Sequence, residues 1–209
     1  GQRLPSEKSF TYSGKFFGNG HKISGLVINR TCGDFQNACL IGQMKDVFVR
    51  DLFFDSTCSF RGAWAAPLSA EIQAENVTII NVTSAAHVEG CAVAGGIVGT
   101  VFVNSQKNIL IEQCRNTGSV IAATNILRMQ YSAGGIVGWA RFYTGGNLTV
   151  RDCHNSGTVN TTVWNDQDHK AYCGYAGGIV SCEAFPNESE VLIEDCTNSG
   201  PVAIFVDRP

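Results

Sequence analysis

The stretch "AGGIVG" occupies Ala94–Gly99, returns unchanged at Ala133–Gly138, and returns again as "AGGIVS" at Ala176–Ser181. A glycine-rich phosphate loop is needed once, and it calls for a following helix with G-K-[ST] or G-x-G-x-x-G, which this chain does not supply. Three copies point to architecture instead. Each is followed by a second element: "ILIEQCRNTGSV" from Ile109, "LTVRDCHNSGTV" from Leu148 and "VLIEDCTNSGPV" from Val191. The hexamers and the Cys-x-Asn-x-Gly cores both step by 39 and then 43 residues, so the two elements travel as one unit. Repeats of this length belong to solenoids or arrays, whose neighbours stack to bury a face that no single unit buries alone.

Weaker copies extend the pattern towards the N-terminus. "VTIINVTSAAHV" from Val77, "VFVRDLFFDSTC" from Val47 and "HKISGLVINRTC" from His21 match the second element, and "ACLIGQ" from Ala38 and "AAPLSA" from Ala65 match the first. In this register Leu26, Leu52 and Val82 stand where Cys114, Cys153 and Cys196 stand later, and the steps lengthen through 26, 30, 32, 39 and 43 residues. The repeats then run roughly over 16–45, 46–72, 73–103, 104–142, 143–184 and 185–206, with the added residues placed in loops and not in stacked strands.

Period separates strand from helix. Ile109 and Ile111, Leu148 and Val150, and Val191 and Ile193 are apolar at every second residue, which is a strand rhythm. The polar pair that follows (Glu112-Gln113, Arg151-Asp152, Glu194-Asp195) shifts the parity, so the next inward residues are Cys114, Cys153 and Cys196. That shift predicts a corner. Beyond it the inward rhythm resumes through Asn116, Gly118 and Val120 and their counterparts. The expectation is an all-β, single-domain parallel β-helix or β-solenoid over 1–209, of about five to six coils. Ile111, Val150 and Ile193 should form one buried ladder, and Ile97, Ile136 and Ile179 another. The paired glycines should sit where a corner needs positive φ or where backbone approaches backbone.

"FGNGHKISGL" (Phe17–Leu26), with the repeated "GGIVG" and "C-x-N-x-G-x-V", resembles the GLUG-type repeats of bacterial surface adhesins, immunoglobulin A-cleaving metalloproteases and large surface proteins of protists. The resemblance covers most of the chain, from about Phe16 to Val202. It implies a β-solenoid acting outside the cell as a stalk, adhesive surface or spacer, and it carries no active-site residue onto this chain.

Composition narrows the function classes. The net charge is -3 and the pI is near 5.8, with no Lys/Arg cluster, which argues against a nucleic-acid partner. No apolar run reaches the roughly 18–20 residues of a membrane span. The chain begins at Gly1 without a signal-peptide layout and is read as a mature or processed product. Six N-x-Ser/Thr acceptors, at Asn29, Asn76, Asn81, Asn147, Asn160 and Asn187, predict N-linked glycans on a secreted or cell-surface eukaryotic protein. Nine cysteines fit an oxidising compartment. Cys32 and Cys58 share a column in the predicted register and form the expected disulfide. Cys114, Cys153 and Cys196 form an expected ladder of buried thiols.

Chemistry has weaker signals. "WNDQDHK" gathers Asp166, Asp168, His169 and Lys170, and reads first as a solvated loop tip. Asp51, Asn81, Gln113, Asp152 and Asp195 share a column that is not uniformly acidic. His21, His87, His154 and His169 have no metal-ligand spacing. No G-x-S-x-G is present, and no catalytic residue or cofactor is assigned. Trp64, Trp139, Trp164, Tyr131, Tyr143, Tyr172 and Tyr175 include residues able to stack on sugars or cap the core. The expected function is a non-catalytic structural or adhesive module: a stalk segment, or a subunit that joins end to end. A carbohydrate-active β-helix enzyme and a lectin-like glycan-binding domain are the rivals.

Overall fold

The computed structural model describes residues 11–32, 36–73, 76–103, 108–123, 130–143, 145–164, 174–182 and 190–207. The chain opens with β1 (Thr11–Phe17), β2 (Lys22–Ile23), β3 (Val27–Asn29) and β4 (Asn37–Ala38). The 14-residue β5 (Ile41–Phe54) follows, then β6 (Ser59–Ala65), β7 (Ser69–Ile72), β8 (Asn76–Ser84) and β9 (His87–Gly95). Next come β10 (Val98–Val103), β11 (Asn108–Glu112), β12 (Arg115–Asn116) and β13 (Val120–Ala122). A set of five is then written twice. It runs first as β14 (Tyr131–Gly134), β15 (Val137–Phe142), β16 (Asn147–Arg151), β17 (His154–Asn155) and β18 (Val159–Trp164). It runs again as β19 (Gly174–Gly177), β20 (Val180–Cys182), β21 (Glu190–Glu194), β22 (Thr197–Asn198) and β23 (Val202–Asp207).

The protein is all-β, and its described strand pairings are parallel. One sheet runs β20-β15-β10-β7-β5-β8-β11-β16-β21 and the other β19-β14-β9-β13-β18-β23. Both paths begin and end in the last repeat. The long β5 and β9 are the units that later repeats break: β15 and β16 together occupy the place of β5, and β13 and β14 that of β9. The added residues therefore enter between half-strands; the register is kept from β11 through β16 to β21 and from β13 through β18 to β23, whereas β15 and β20 shift by one residue between Val137 and Ala140.

The expected ladders form. Ile111 pairs with Val150 and Val150 with Ile193. Ile97 N–H donates to Ile136 O (3.1 Å), and Ile136 N–H to Ile179 O (2.9 Å). Ile111, Val150, Ile97 and Ile136 are fully buried, whereas Ile193 is 47% exposed on β21, which among the described residues pairs with β16 alone. Each buried Ile or Val contributes about 1.5–3 kcal/mol relative to exposure. The corner is also real. Asp51, Asn81, Gln113, Asp152 and Asp195 all take positive φ, between 51° and 56°. A left-handed residue reverses the side-chain alternation, which is the parity shift read from the sequence, and Asp and Asn tolerate that conformation best.

The hexamer's glycines owe their place to close approach and not to positive φ. A Cβ on Gly96 would lie 1.9 Å from Gly135 O and 2.7 Å from Asn116 Cγ, and one on Gly135 would lie 2.0 Å from Gly178 O and 2.5 Å from Asn155 Cγ. The two repeated elements are thus complementary halves: the Asn of Cys-x-Asn-x-Gly occupies the space left by the second glycine of AGGIVG.

The first repeat departs from the expected register. Val27 pairs with Ser59, and Ser59 N–H donates to Leu26 O (2.9 Å), so Leu26 lies beside Cys58 and not beside Leu52. The expected Cys32–Cys58 pairing fails with it. Cys32 forms a disulfide with Cys91 (Cα–Cα 5.7 Å), and Cys58 is a buried free thiol. The slip from Leu52 to Cys58 is even, so period-2 alternation keeps the same residues inward and cannot detect it.

Candidate functional site

Three surfaces bear on function. The first is the outer face of β8, β11, β16 and β21, where a shallow groove of about 390 Å³ is lined by Asn76, Asn108, Asn147, Thr149, Arg151 and Glu194 among others. Strand alternation places these side chains outward, opposite the buried Ile79, Ile111 and Val150. Asn147 Nδ2 donates to Asn108 Oδ1 (3.1 Å), and Arg151 grips Glu112 Oε1 through Nε and Nη2, both at 2.9 Å. The groove offers three amides, the hydroxyls of Thr78 and Thr149, Arg151 and Glu194 beside the apolar Leu110 and Leu192, a lining that joins hydrogen-bonding groups to apolar contact.

The second surface is the corner column. Asn81 Nδ2 donates to Asp51 Oδ1 (2.8 Å). No group of three or more His, Cys, Asp or Glu residues able to hold a metal occurs among the described residues. His87 Nδ1 lies 2.6 Å from Ser119 Oγ, and His154 Nδ1 lies 2.6 Å from Thr197 Oγ1. Each histidine therefore clips its repeat to a hydroxyl on the next. Asp166, Asp168, His169, Lys170 and Tyr172 lie outside the described residues.

The third is aromatic. Arg141 lies 4.3 Å above the Trp139 ring, and Phe102 and Tyr143 stack with centroids 6.2 Å apart. Trp139 and the half-buried Trp64 pack against the Cys32–Cys91 bridge, and Tyr131 is fully buried, so these three cap or fill cores. Tyr143 is the exposed member. Tyr175 is half-buried, and the Trp164 side chain lies outside the described residues.

The glycan acceptors fall on outward positions. Asn29, Asn76, Asn81 and Asn147 are exposed, Asn160 on β18 is half-buried, and Asn187 lies outside the described residues. Cys114 and Cys153 are buried, and Cys196 is half-exposed at the end of their column. A hydrogen bond with Cys114, joined by burial, pushes the Cys153 thiol far above its ordinary range, and burial raises Cys196. Such thiols stay protonated and unreactive at neutral pH.

Two polar arrangements hold the repeats together beyond the expected ladders. Asn116 Nδ2 donates to Asn155 Oδ1 (2.8 Å) and Asn155 Nδ2 to Asn198 Oδ1 (2.7 Å), an amide ladder through the interior. Its signal was the invariant Asn at an inward position, where a polar residue is kept only if a partner meets it. In the first repeats Asp55 accepts from Ser24 Oγ (2.6 Å) and from Thr57 N–H (2.9 Å), and pairs with Lys22 Nζ at 3.5 Å. The Ser24 hydroxyl, then Thr57, hold the Asp55 carboxyl well below the usual carboxylate range.

Compared with known protein families, curated proteins and solved structures, the chain matches none of them.

Proposed function

We propose that the chain is a single β-solenoid of about six coils, akin to the GLUG-type repeats, that works outside the cell as an N-glycosylated structural or adhesive module. The observation that carries this reading is the unbroken column Ile79, Ile111, Val150, Ile193, matched pair by pair across successive repeats. A stack of that kind is a rod whose length grows with repeat number, and its outward faces are free to vary. The exposed acceptors at Asn29, Asn76, Asn81 and Asn147, the Cys32–Cys91 bridge and the absence of a long apolar helix among the described residues all suit a secreted rod. Intact-mass measurement of the protein from its native source, before and after glycosidase, tests the proposal. The expected result is a mass above 22.4 kDa that falls on treatment, and a bare 22.4 kDa chain overturns it.

One observation favours a lectin-like alternative: the outer groove, with its amides and its Arg151–Glu112 pair. The two readings compete for the same place, because Asn76 and Asn147 line that groove and glycans on them would fill it. Glycopeptide mapping of these two sites decides between them. Occupied sites support the rod, and bare sites with measurable binding to a glycan panel support the lectin. A carbohydrate-active enzyme would need a second carboxylate about 5–10 Å from Glu194.

A further inference from the structure

The last repeat leaves its strands half-paired. Among the described residues β21 pairs only with β16, β23 only with β18, β20 only with β15 and β19 only with β14. The side chains there are those of an interior: Ile193, Val202 and Ile204 are 40–50% exposed, whereas their counterparts Val150, Val159 and Thr161 are buried. Exposed apolar surface of this kind, rimmed by unpaired backbone, is an association surface.

What fits it is set by the amide ladder. Asn198 Nδ2 donates to Gly200 O (2.9 Å), and among the described residues its other N–H has no counterpart of the next-coil acceptor that Asn116 and Asn155 each have. A coil laid on this edge buries that N–H, and a buried donor without an acceptor is costly. The occupant must therefore bring a side-chain oxygen to this column. The first coil of a second copy brings the wrong group, since the column runs Ile23, Phe54, Ser84, Asn116, Asn155, Asn198. Head-to-tail stacking of copies would set Ile23 on Asn198. It would also set Phe17 against Glu194, whose column runs Phe17, Arg50, Ile80, Glu112, Arg151, Glu194. A basic residue there would give Glu194 the pairing that Arg151 gives Glu112.

Building on the solenoid reading, we propose that the C-terminal edge is a docking surface for a further coil of the same Cys-x-Asn-x-Gly type, parallel and in register, as the next repeat of one continuous stack. It does not accept the N-terminal edge of a second copy. Trp164 pairs with Asp207, so a copy of residues 165–207 joined after Asp207 enters in phase. Three extended chains test this: that copy, the same copy carrying Asn198→Leu, and a copy of residues 11–54. Amide exchange of β21 and β23 is the readout, with the amides of Ile111 and Val150 in the parent as an internal standard. The first extension should slow edge exchange at least about tenfold, while the other two leave it near the parent's. Equal protection by all three, protection by the 11–54 copy alone, or protection by none overturns the proposal. So does a parent chain that already self-associates with its edge protected. If Ile111 and Val150 exchange freely in the parent, the solenoid reading itself has failed.

Discussion

The first repeats and the later ones are built on the same parallel pairing but are pinned by different means. From Gly96 onward, register is fixed by a repeated component, an interior Asn lodged against a glycine that has no room for a Cβ. Between Thr11 and Cys58 the corresponding column holds Ile23 and Phe54, and neither can bond to its neighbour. There a local cluster does the work: Ser24, Thr57 and Lys22 converge on Asp55, and Gly25 N–H donates to Thr57 Oγ1 (2.7 Å). Repeated polar ladders make a stack extensible, whereas a single side-chain staple fixes one junction and cannot be copied.

The largest effect should come from attacking the repeated device. In Gly135→Ala the new Cβ would lie 2.0 Å from the Gly178 carbonyl oxygen and 2.5 Å from Asn155 Cγ. One obstacle is backbone held on both sides, so the strands must part, and the expected loss is above about 4 kcal/mol. A chemical-denaturation midpoint within error of the parent's would show that the glycine ladder does not set the spacing. The Cys32–Cys91 bridge is next. It closes 59 residues across the first three repeats and should contribute about 2–4 kcal/mol. The double change Cys32→Ser/Cys91→Ser should lower the thermal midpoint under non-reducing conditions and remove the parent's sensitivity to reductant.

Asn155→Leu sharpens the comparison. Asn155 accepts from Asn116 and donates to Asn198 Oδ1 and to Gly157 O (3.0 Å), so the leucine orphans a buried donor above and an acceptor below. The expected cost is about 2–3 kcal/mol, measured by denaturation. Phe54→Leu, at the equivalent column position in an early repeat, trims apolar volume but orphans no polar group, and should instead cost about 1 kcal/mol. If the two losses are alike, the amides are ordinary filler.

The same contrast explains what was legible. The later repeats announced themselves because identical residues recur at fixed offsets, and the corner was visible as a parity break at Gln113, Asp152 and Asp195. The glycines were placed by two alternatives, close approach or positive φ, and only the coordinates separate them. The first repeat departs from its expected register because the six-residue slip at β3 leaves Leu26 and Ile28 beside the buried Cys58 and Phe60, on the face that alternation assigns them. The features that set its true register, Ser24 against Asp55 and Cys32 against Cys91, occur once each, so no repetition exposes them. The groove was illegible for a similar reason. Its residues are outward ones from separate repeats, and the sequence gives no weight to a column until the stacking is known.

Asp55 gives a prediction tied to pH. Its carboxyl is held below the usual range mainly by the Ser24 hydroxyl. A depressed folded pKa stabilises above the unfolded value and is lost as pH falls, so the loosening of the first repeat begins below about pH 4. Asp55→Asn should bring that loosening to neutral pH. Exchange of the Gly25 amide reports it locally, and the amides of β11 and β16 should stay unchanged; a uniform change across the chain would mean that the staple is not local.

The smallest effect tests the corner. Gln113 has φ 54° in a column otherwise held by Asp and Asn, residues whose short side chains ease the left-handed conformation. An L-residue there carries about 1–2 kcal/mol of strain, and glycine relieves it while giving back about 0.5–1 kcal/mol in unfolded-state entropy. Gln113→Gly should therefore stabilise the protein by roughly 0.5 kcal/mol, and Gln113→Asn by a similar amount through relief of strain alone. The gain should appear as a small rise in denaturation midpoint with an unchanged slope, because no surface is newly buried. A loss from both substitutions would show that the Gln113 side chain, and not the backbone turn, is what this corner needs, and the parity break would then have to be explained by contacts rather than by handedness.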